Sequence, residues 1–588
     1  MMSNSKSFAA VLMVVALAWL PPLAGAQSQH EALQRAFQQY FETKLADEPE
    51  FATQSGRYEN ADKWNDWSKA GRDQRRAHME AALHESERFP LDGLSAEDQI
   101  SVRLLRYDLR SQLDAMDLET YLIRVGQLFG LHNRVYTMLD RMPARTARDY
   151  RNLLARLHGV PEYVDQNIAM LNEAIARGIV QPRIVVDLVV KQLAAQIAQD
   201  YASTPLLLAF RHFPSNFSPD EQEKLRREAI EAYEKQFLPA WRKLLGYMQT
   251  TYAPKTRPGV GLSSLPGGLE YYAIMIRRIT TTNASPEEIH KIGEAEVERL
   301  EKEMLAVARE TGFSGSIAEF EKKLDTIPEQ HFRSKDDMLI FCRNAAKIID
   351  PELPKLFKHI PNMVYGIRAI PEDLEQSSTD YAQVPAPDGS VPGWFNLNAY
   401  LPEKQFHYDK EPLVLHEAVP GHIFQGSLAR SLQDLPDFRR FYANGAYGEG
   451  WALYAESLGS QLGLYRDPYS RFGQLVSERY RAVRLVVDTG LHAMGWTRDQ
   501  AIQYFTTHAP QTPIAEVDRY ISWPAQALAY KMGQLKIVEL RDEAQQKLGP
   551  RFDIREFHDA ILLKGTLPLE LLEEQVHNYI SNSHQQSR

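Results

Sequence analysis

The sequence predicts a mainly α-helical protein with one small antiparallel β-sheet, and two observations support this class. Apolar residues recur at helical spacing through most of the chain, as in HEALQRAFQQYFETKLADE (30–48) and QEKLRREAIEAYEKQFLPAWRKLLGYM (222–248). Strand-like alternation is confined to MVYGIRAIP (363–371) and GWFNLNAY (393–400), with the turn-forming PAPDGSVPG between them. The sheet is therefore expected just before the segment that carries the chemistry described below.

Residues 1–26 have the pattern of a signal peptide. Lys6 supplies a positive charge, 8–20 is an apolar run, and Ala24-Gly25-Ala26 gives a cleavage site after Ala26. An uncleaved N-terminal anchor is the alternative interpretation of the same run. No cysteine lies near this site, so a lipid-anchored form is not expected. We expect an exported protein, periplasmic or secreted.

The rest of the chain divides by composition. Residues 27–250 are expected to form an N-terminal helical subdomain, and a Gly-, Pro- and Ser-rich stretch near 252–272 marks its boundary. Residues 251–588 are then the catalytic region, which contains the sheet and the helices of the metal site. Within it, Ser285 followed by Pro286 predicts the start of a long helix.

Composition excludes several classes of protein. The net charge of −10 argues against a nucleic-acid partner, which would require a basic face. After Ala26 no apolar run is long enough to cross a bilayer, so no stable membrane association is expected after signal cleavage. Cys342 is the only cysteine, and its apolar surroundings indicate a buried residue instead of a nucleophile.

The segment LVLHEAVPGHIFQGSL (413–428) resembles the zinc-protease signature His-Glu-x-x-His, with a longer gap. Four residues separate Glu417 from His422, where the signature has two. On a regular helix, residues six apart point about 120° away from each other, so His416 and His422 could not share an ion. Pro420 and Gly421 supply a reason for an irregular backbone that would bring them together. Glu417 would then serve as the base for a bound water. The alternative is a loop with two solvated histidines.

Two acidic residues follow in YGEGWALYAESLG (447–459). Glu449 and Glu456 are seven apart and share one helix face among apolar neighbours, where an unpaired acid is costly. Glu449 could be the third metal ligand and Glu456 a partner of a ligand, or an alternative ligand. Either could instead be an ordinary acid near a helix N-terminus, an interpretation that suits Glu449 better than Glu456.

Several separated motifs together resemble a bacterial family defined as domain of unknown function 885. They include LHEAVPGHIFQ, GEGWALYAE, VVDTGLHAMGWT and RYISWPAQALAYKMGQLKI, and the resemblance extends over nearly all of the mature chain. The family is grouped with gluzincin-like metallopeptidases, so the resemblance implies a mainly helical fold with a deep cleft, like the thimet oligopeptidase and carboxypeptidase Taq groups. It further implies Zn²⁺ on His416, His422 and Glu449, with Glu417 as the base. The Pro-Gly insertion departs from the pattern of those peptidases.

Amide hydrolysis also requires an oxyanion donor, and Tyr530 is the first candidate. His492 is the second, because both lie in apolar helical segments where a polar tip needs a partner. The alternative for each is an ordinary buried residue bonded to the backbone.

Three further residues are candidates for binding a substrate. Asn396 lies in WFNLN (394–398), which could be an edge strand to which a peptide adds, or an internal strand. Arg519 and Lys531 could hold a substrate carboxylate, although single cations are more often solvated or structurally paired.

These features predict a zinc metallopeptidase that acts on short peptides. A zinc-dependent amidase acting on a non-peptide or cell-wall amide would use the same chemistry. A catalytically inactive peptide-binding protein is a third possibility, and the complete set of histidines and glutamates argues against it.

Overall fold

The computed structural model describes residues 23–372, 375, 379–386 and 391–585. Most of the predicted signal peptide, residues 1–22, lies outside these ranges, as does part of the predicted turn, residues 387–390. Within them the chain is predominantly helical, which confirms the predicted fold class.

The helices follow one another along almost the whole described chain. Those before the sheet are α1 (Leu23–Asp47), α2 (Pro49–Gln54), α3 (Lys69–Glu87), α4 (Ala96–Asp117), α5 (Leu131–Asp140), α6 (Ala147–Ala176), α7 (Arg183–Ile197), α8 (Leu208–Arg211), α9 (Pro219–Ala232), α10 (Leu238–Tyr247), α11 (Gly268–Thr280), α12 (Pro286–Glu310), α13 (Ile317–Asp325) and α14 (Lys335–Ile349). Those after the sheet are α15 (Lys410–Glu417), α16 (His422–Ser431), α17 (Asp437–Arg440), α18 (Gly445–Glu456), α19 (Pro468–His492), α20 (Arg498–His508), α21 (Pro513–Ser522), α22 (Ala529–Leu548), α23 (Ile554–Leu562) and α24 (Leu569–Gln585).

The predicted start of the long helix α12 is confirmed. Its first helical residue is Pro286, and the Ser285 side chain accepts a hydrogen bond from the backbone N–H of Glu288. The Glu288 carboxylate in turn accepts from the Ser285 N–H at 2.8 Å, which completes a capping box.

The sheet is mixed, not antiparallel as the sequence predicts. Its strands are β1 (Tyr365–Ala369), β2 (Tyr381–Gln383) and β3 (Gly393–Leu397), in the order β1-β3-β2. β3 pairs with β1 in parallel and with β2 in antiparallel. The predicted antiparallel pairing is wrong because the connection from β1 to β3 contains a further strand, β2, which pairs antiparallel with β3. β3 is therefore the central strand.

Two large hydrophobic cores hold the described residues together. Each draws on both sides of position 250: one joins α1 and α4 to α15, α18 and α22, and the other joins α6 and α10 to α12 and α19. The subdomain boundary near residue 250 stays a prediction from composition.

A close helix crossing brings α18 and α22 together. Gly450 and Gly533 face each other there, and a Cβ added to Gly450 would lie 2.5 Å from the Gly533 backbone. Only glycine, which has no side chain, allows the two helix backbones to come this close. The crossing places Tyr530, at the start of α22, close to the residues of α18.

None of the helices in the described ranges has both the length and the apolar character that a bilayer crossing requires.

Candidate metal centre

The segment 413–428 forms two helices separated by a break. α15 ends at Glu417 and α16 begins at His422, so Pro420 and Gly421 lie in the break. Gly421 packs directly on the preceding helix, where an added Cβ would lie 1.9 Å from the carbonyl oxygen of His416. Glycine is required here because a side chain would have no space.

Two hydrogen bonds hold the broken segment in place. The Phe424 N–H donates to the carbonyl oxygen of Ala418 at 3.2 Å, which connects the new helix to the end of the old one. The break leaves the carbonyl oxygen of Pro420 without a helical partner. This oxygen accepts a hydrogen bond from the Trp451 indole N–H at 2.8 Å. The break is therefore fixed by α18, the helix that carries the nearby glutamates.

The break brings the two imidazoles together. The ring centroids of His416 and His422 lie 4.9 Å apart, with the ring planes at 89° to each other. This is the irregular backbone that the spacing of the two histidines requires. His416, Glu417 and His422 each have a ligand-type atom within 4.8 Å of the others, and the three could hold a metal ion.

Glu449 on α18 completes the cluster. Its Oε2 atom lies 3.2 Å from His422 Nε2 and 3.7 Å from His416 Nε2. One carboxylate oxygen thus faces the same nitrogen of both rings, as it would if all three atoms surrounded one cation.

Glu456 lies about two helical turns after Glu449 on α18. It orients His416 by contacting the ring nitrogen that faces away from His422 and Glu449. Its Oε1 lies 2.8 Å from His416 Nδ1, and both residues are buried. With Nδ1 bonded to a carboxylate, His416 presents Nε2 toward His422 and Glu449. A carboxylate on the outer nitrogen of a metal-binding histidine is the usual arrangement in such sites.

The electrostatics of the cluster favour a positive charge. Burial lowers the pKa of His416, but its interactions with Glu449 and Glu456 more than offset burial and raise the pKa to about 10. Burial raises the pKa of Glu449, but the two histidines outweigh it and hold the pKa well below its usual range. The glutamates around the imidazoles therefore favour a positive charge between them.

The cluster lies in the wall of a cavity of about 510 Å³. Its lining includes Phe51 and Gln54 of α2, Asp380 and Tyr381 at the start of β2, and residues of α16 and α18. Burial raises the pKa of Asp380 to about 6, against the opposing influence of the Lys410 charge and a hydrogen bond from the backbone N–H of Asn398.

Tyr530 lines the same cavity. Its ring is nearly parallel to that of His416, with centroids 6.1 Å apart. Its phenol oxygen accepts from Gln526 Nε2 at 3.3 Å and Arg519 Nη2 at 3.4 Å, and the Arg484 guanidinium lies 4.6 Å from the ring centroid. Both hydrogen-bond partners are N–H donors, so the phenol hydrogen remains available for donation into the cavity.

His492, the second candidate for the oxyanion donor, lies elsewhere. It is fully buried, its Nδ1 accepts from the backbone N–H of Leu262 at 3.2 Å, and its Nε2 donates to the carbonyl oxygen of Tyr520 at 3.0 Å. Burial lowers its pKa to about 3. His492 does not line the cavity. Its two hydrogen bonds to backbone groups connect the segment at Leu262 to α21.

The candidates for substrate binding have structural partners. Asn396 is buried on the central strand β3, and its side-chain oxygen accepts from Arg368 Nε at 2.7 Å. Lys531 is fully buried, and its ammonium contacts Glu478 at 2.7 Å and Glu296 at 2.8 Å. Neither residue lines the cavity: Asn396 is buried on β3, and Lys531 is buried and paired with two glutamates. Arg519 reaches the site only through Tyr530.

Other residues of the cavity wall were not predicted from the sequence. They are Asp380, just before β2, and Arg430, near the end of α16, together with Phe51 from α2. Asp380 and Phe51 are distant in sequence from the histidine motif and carry no local signal. Arg430 lies eight residues after His422, so it could have been found by following α16 through two further turns.

The fold and the site define a mainly α-helical protein with a cluster of two histidines and three glutamates that could hold a metal ion. The chain belongs to the family described as "Bacterial protein of unknown function (DUF885)", whose model matches residues 49–576. The family predicted from the separated motifs is thereby confirmed. No functionally curated protein matches the chain.

Two solved structures with high TM-scores share this fold. A "putative lipoprotein" from Colwellia psychrerythraea is 25% identical, with a TM-score of 0.90 over 94% of this chain and 100% of that one. A "putative lipoprotein of unknown function" from Shewanella oneidensis is 20% identical, with a TM-score of 0.71 over 92% and 99%. A "putative oligoendopeptidase F" from Bacillus anthracis is 12% identical, with a TM-score of 0.33 over 87% and 95%, too low to support an inference.

Proposed function

We propose that this protein is an exported zinc-dependent metallopeptidase that hydrolyses peptide bonds of short peptides. The observation that carries the proposal is the position of Glu449, whose Oε2 faces the Nε2 atoms of His416 and His422 in a cavity wall. Two histidines and one glutamate are a common ligand set for catalytic zinc.

The separations of these atoms suit a zinc ion. Ligands bound at about 2.0–2.1 Å in a tetrahedron lie about 3.3–3.4 Å from one another. The two Nε2-to-carboxylate separations are 3.2 and 3.7 Å, close to that value. Glu456 on the far side of His416 supplies the outer hydrogen bond that such ligands usually have. His416, His422 and Glu449 would therefore hold the ion.

When bound, zinc would supply the Lewis acidity that activates water and polarises a peptide carbonyl at neutral pH. Glu417 follows His416 directly and lines the cavity, so we assign it the base that accepts the proton of the attacking water and returns it to the leaving amine. Tyr530 also lines the cavity, with its ring 6.1 Å from that of His416, and we assign its free phenol hydrogen as the donor to the developing oxyanion.

The structure also offers a place for a peptide backbone. β2 lies against the cavity and is an edge of the described sheet, whereas β3 is paired on both sides. We therefore place an extended substrate beside β2 instead of the 394–398 segment, with main-chain hydrogen bonds that accept many side chains.

Tyr530→Phe is expected to lower kcat by about 10²- to 10³-fold with little change in KM, because the lost hydrogen bond forms only with the oxyanion. Steady-state kinetics on one peptide substrate measures both constants. Tyr247→Phe, which removes a half-buried hydroxyl outside the cavity that bonds to Asn172, should leave both unchanged. If Tyr530→Phe instead raises KM by about 10²- to 10³-fold and leaves kcat unchanged, the assigned role is contradicted.

Gly421→Ala is expected to weaken zinc binding at least tenfold and to destabilise the fold by about 1–3 kcal/mol. The added methyl group would collide with the carbonyl oxygens of His416 and Leu415, and backbone atoms must shift to admit it. The measurements are zinc titration and thermal unfolding. Gly246→Ala is the matched control, because its added Cβ meets nothing within 4 Å and it lies within α10. Wild-type zinc affinity and stability in Gly421→Ala would show that the tight break does not shape the site.

Export is part of this proposal. It is supported by the predicted signal peptide and by the relatives described as lipoproteins.

The test of the proposed function is hydrolysis of a mixed peptide library by the zinc-loaded protein, followed by mass spectrometry. Cleavage that is lost on chelation and restored by zinc supports the peptidase. Cleavage of a cell-wall or other non-peptide amide, with peptides left intact, would favour the amidase. Stoichiometric zinc with no hydrolysis of either class would favour a binding protein.

A further inference from the structure

Arg430 brings a positive charge to the cavity of the candidate metal centre, and no carboxylate among the described residues pairs with it. Its Nη1 donates to the backbone carbonyl oxygens of Pro385 at 2.8 Å and Val384 at 3.4 Å. Within residues 23–372, 375, 379–386 and 391–585, no ion pair involves Arg430. Burial lowers its pKa, and no carboxylate opposes that effect.

The contrast with Arg440, in the same cavity wall, is informative. Arg440 forms an ion pair with Asp437 at 2.9 Å, and its Nη2 donates to the carbonyl oxygen of Arg430. The charge of Arg440 is thus balanced within the protein, whereas among the described residues the Arg430 guanidinium bonds only to neutral carbonyl groups. A partly buried guanidinium without a counterion is costly, because desolvation is not repaid by an opposite charge.

The remaining edge of the Arg430 guanidinium is suited to a carboxylate. Among the described residues, no acceptor bonds to the Nε or Nη2 atom of Arg430. Neither atom is among the buried, unpaired polar atoms, so both remain accessible to a ligand. These two nitrogens form a planar fork that binds both oxygens of a carboxylate at once. The two carbonyl bonds through Nη1 hold the fork in position against the segment that follows β2.

The position of Arg430 sets the distance from the reacting bond. It follows His422 by eight residues on α16, which is a rise of about 12 Å along the helix. Its side chain leans back toward the helix N-terminus and so toward His422. An extended peptide covers about 3.3–3.6 Å per residue, so a carboxylate at Arg430 lies roughly two to four residues from the scissile bond. The wall near Arg430 includes Val384, Ala429 and Phe441, which suit apolar side chains.

We propose that Arg430 binds a carboxylate of the peptide substrate and so directs the enzyme to peptides with an acidic group a few residues from the scissile bond. This inference rests on the proposed peptidase function. The carboxylate has two possible sources, the C-terminus of a short peptide and an acidic side chain, and the same guanidinium fork would bind both.

The test measures binding in zinc-loaded Glu417→Gln, which should hold peptides without cleaving them. One peptide pair of about six residues differs only in a free C-terminal carboxylate or a C-terminal amide. A second, amidated pair differs only in a central Glu or Gln. Titration calorimetry should show at least one acidic member binding about 10- to 100-fold more tightly than its neutral partner, the effect of one charge-assisted hydrogen-bond pair. The pair that shows the difference identifies the source.

Arg430→Gln in the same background should reduce that ratio to near one, while Arg430→Lys should keep part of it. Arg541→Gln, a matched loss of one partly buried guanidinium outside the cavity, should keep the full ratio. Equal affinities within both pairs would overturn the proposal, even if Arg430→Gln does not fold. An unchanged ratio in folded Arg430→Gln would also overturn it.

Failure of this inference and failure of the peptidase can be separated. If wild type cleaves the acidic and neutral peptides equally well with zinc bound, the peptidase stands and the role of Arg430 falls. If wild type cleaves neither and the acidic peptide still binds more tightly, the carboxylate site stands and the peptidase falls.

Discussion

Glu417→Gln is expected to reduce peptide hydrolysis by about 10²- to 10⁴-fold while zinc stays bound. The amide has the shape of the carboxylate but cannot accept the proton of the attacking water. The ligands His416, His422 and Glu449 are untouched by the change, so the metal content should remain that of the wild type. The measurement is kcat on one peptide from the library, together with zinc content by elemental mass spectrometry.

The matched control is Glu411→Gln, on the same helix. Glu411 accepts a hydrogen bond from the backbone N–H of Tyr465 and does not line the cavity, so the variant should keep wild-type kcat. Wild-type hydrolysis by Glu417→Gln would exclude Glu417 as the base. Loss of zinc along with hydrolysis would instead assign Glu417 to metal binding.

His422→Ala is expected to lower zinc affinity by more than 100-fold and to abolish hydrolysis. Loss of an outer hydrogen-bond partner in metal sites costs about 10- to 100-fold, and loss of a direct ligand should cost more. His422 also begins α16 next to the break, and alanine tolerates a helical position well, so the fold should persist. Competition with a chromogenic chelator gives the affinity, and circular dichroism checks the fold.

His359→Ala is the control for that experiment. His359 is exposed and contacts Asp559 at 3.0 Å, outside the cavity, so its variant should bind zinc like the wild type. Unchanged zinc affinity in a folded His422→Ala would remove this residue from the site.

The arrangement of the site along the chain was largely predictable from local sequence. Pro420 and Gly421 made a regular helix between His416 and His422 improbable on steric grounds, and the structure contains the corresponding break. Glu456 was predicted as an outer partner from its helix register with Glu449, and it bonds to His416 at 2.8 Å. Both features depend on residues within a few helical turns, which is why the local sequence could indicate them.

Features that depend on long-range packing could not be predicted in this way. His492 and Tyr530 look alike in sequence, since both are polar tips in apolar helices. The glycine pair that brings α18 against α22 places Tyr530 at the cavity, whereas His492 is used by two backbone groups. Lys531, next to Tyr530 in sequence, points into the core because adjacent helical residues face about 100° apart.

The sheet shows the same limit. Strand alternation located β1 and β3, but their relative direction depends on β2, a three-residue strand too short for its pattern to be recognised.

We propose that His416, His422 and Glu449 hold one zinc ion. Anomalous X-ray diffraction at the zinc absorption edge, from crystals of the zinc-loaded protein, tests this site. We expect one strong anomalous peak, at about 2.0–2.1 Å from the Nε2 atoms of both histidines and from an oxygen of Glu449. A zinc-loaded crystal with no peak between these residues, or with its zinc bound elsewhere, would contradict it.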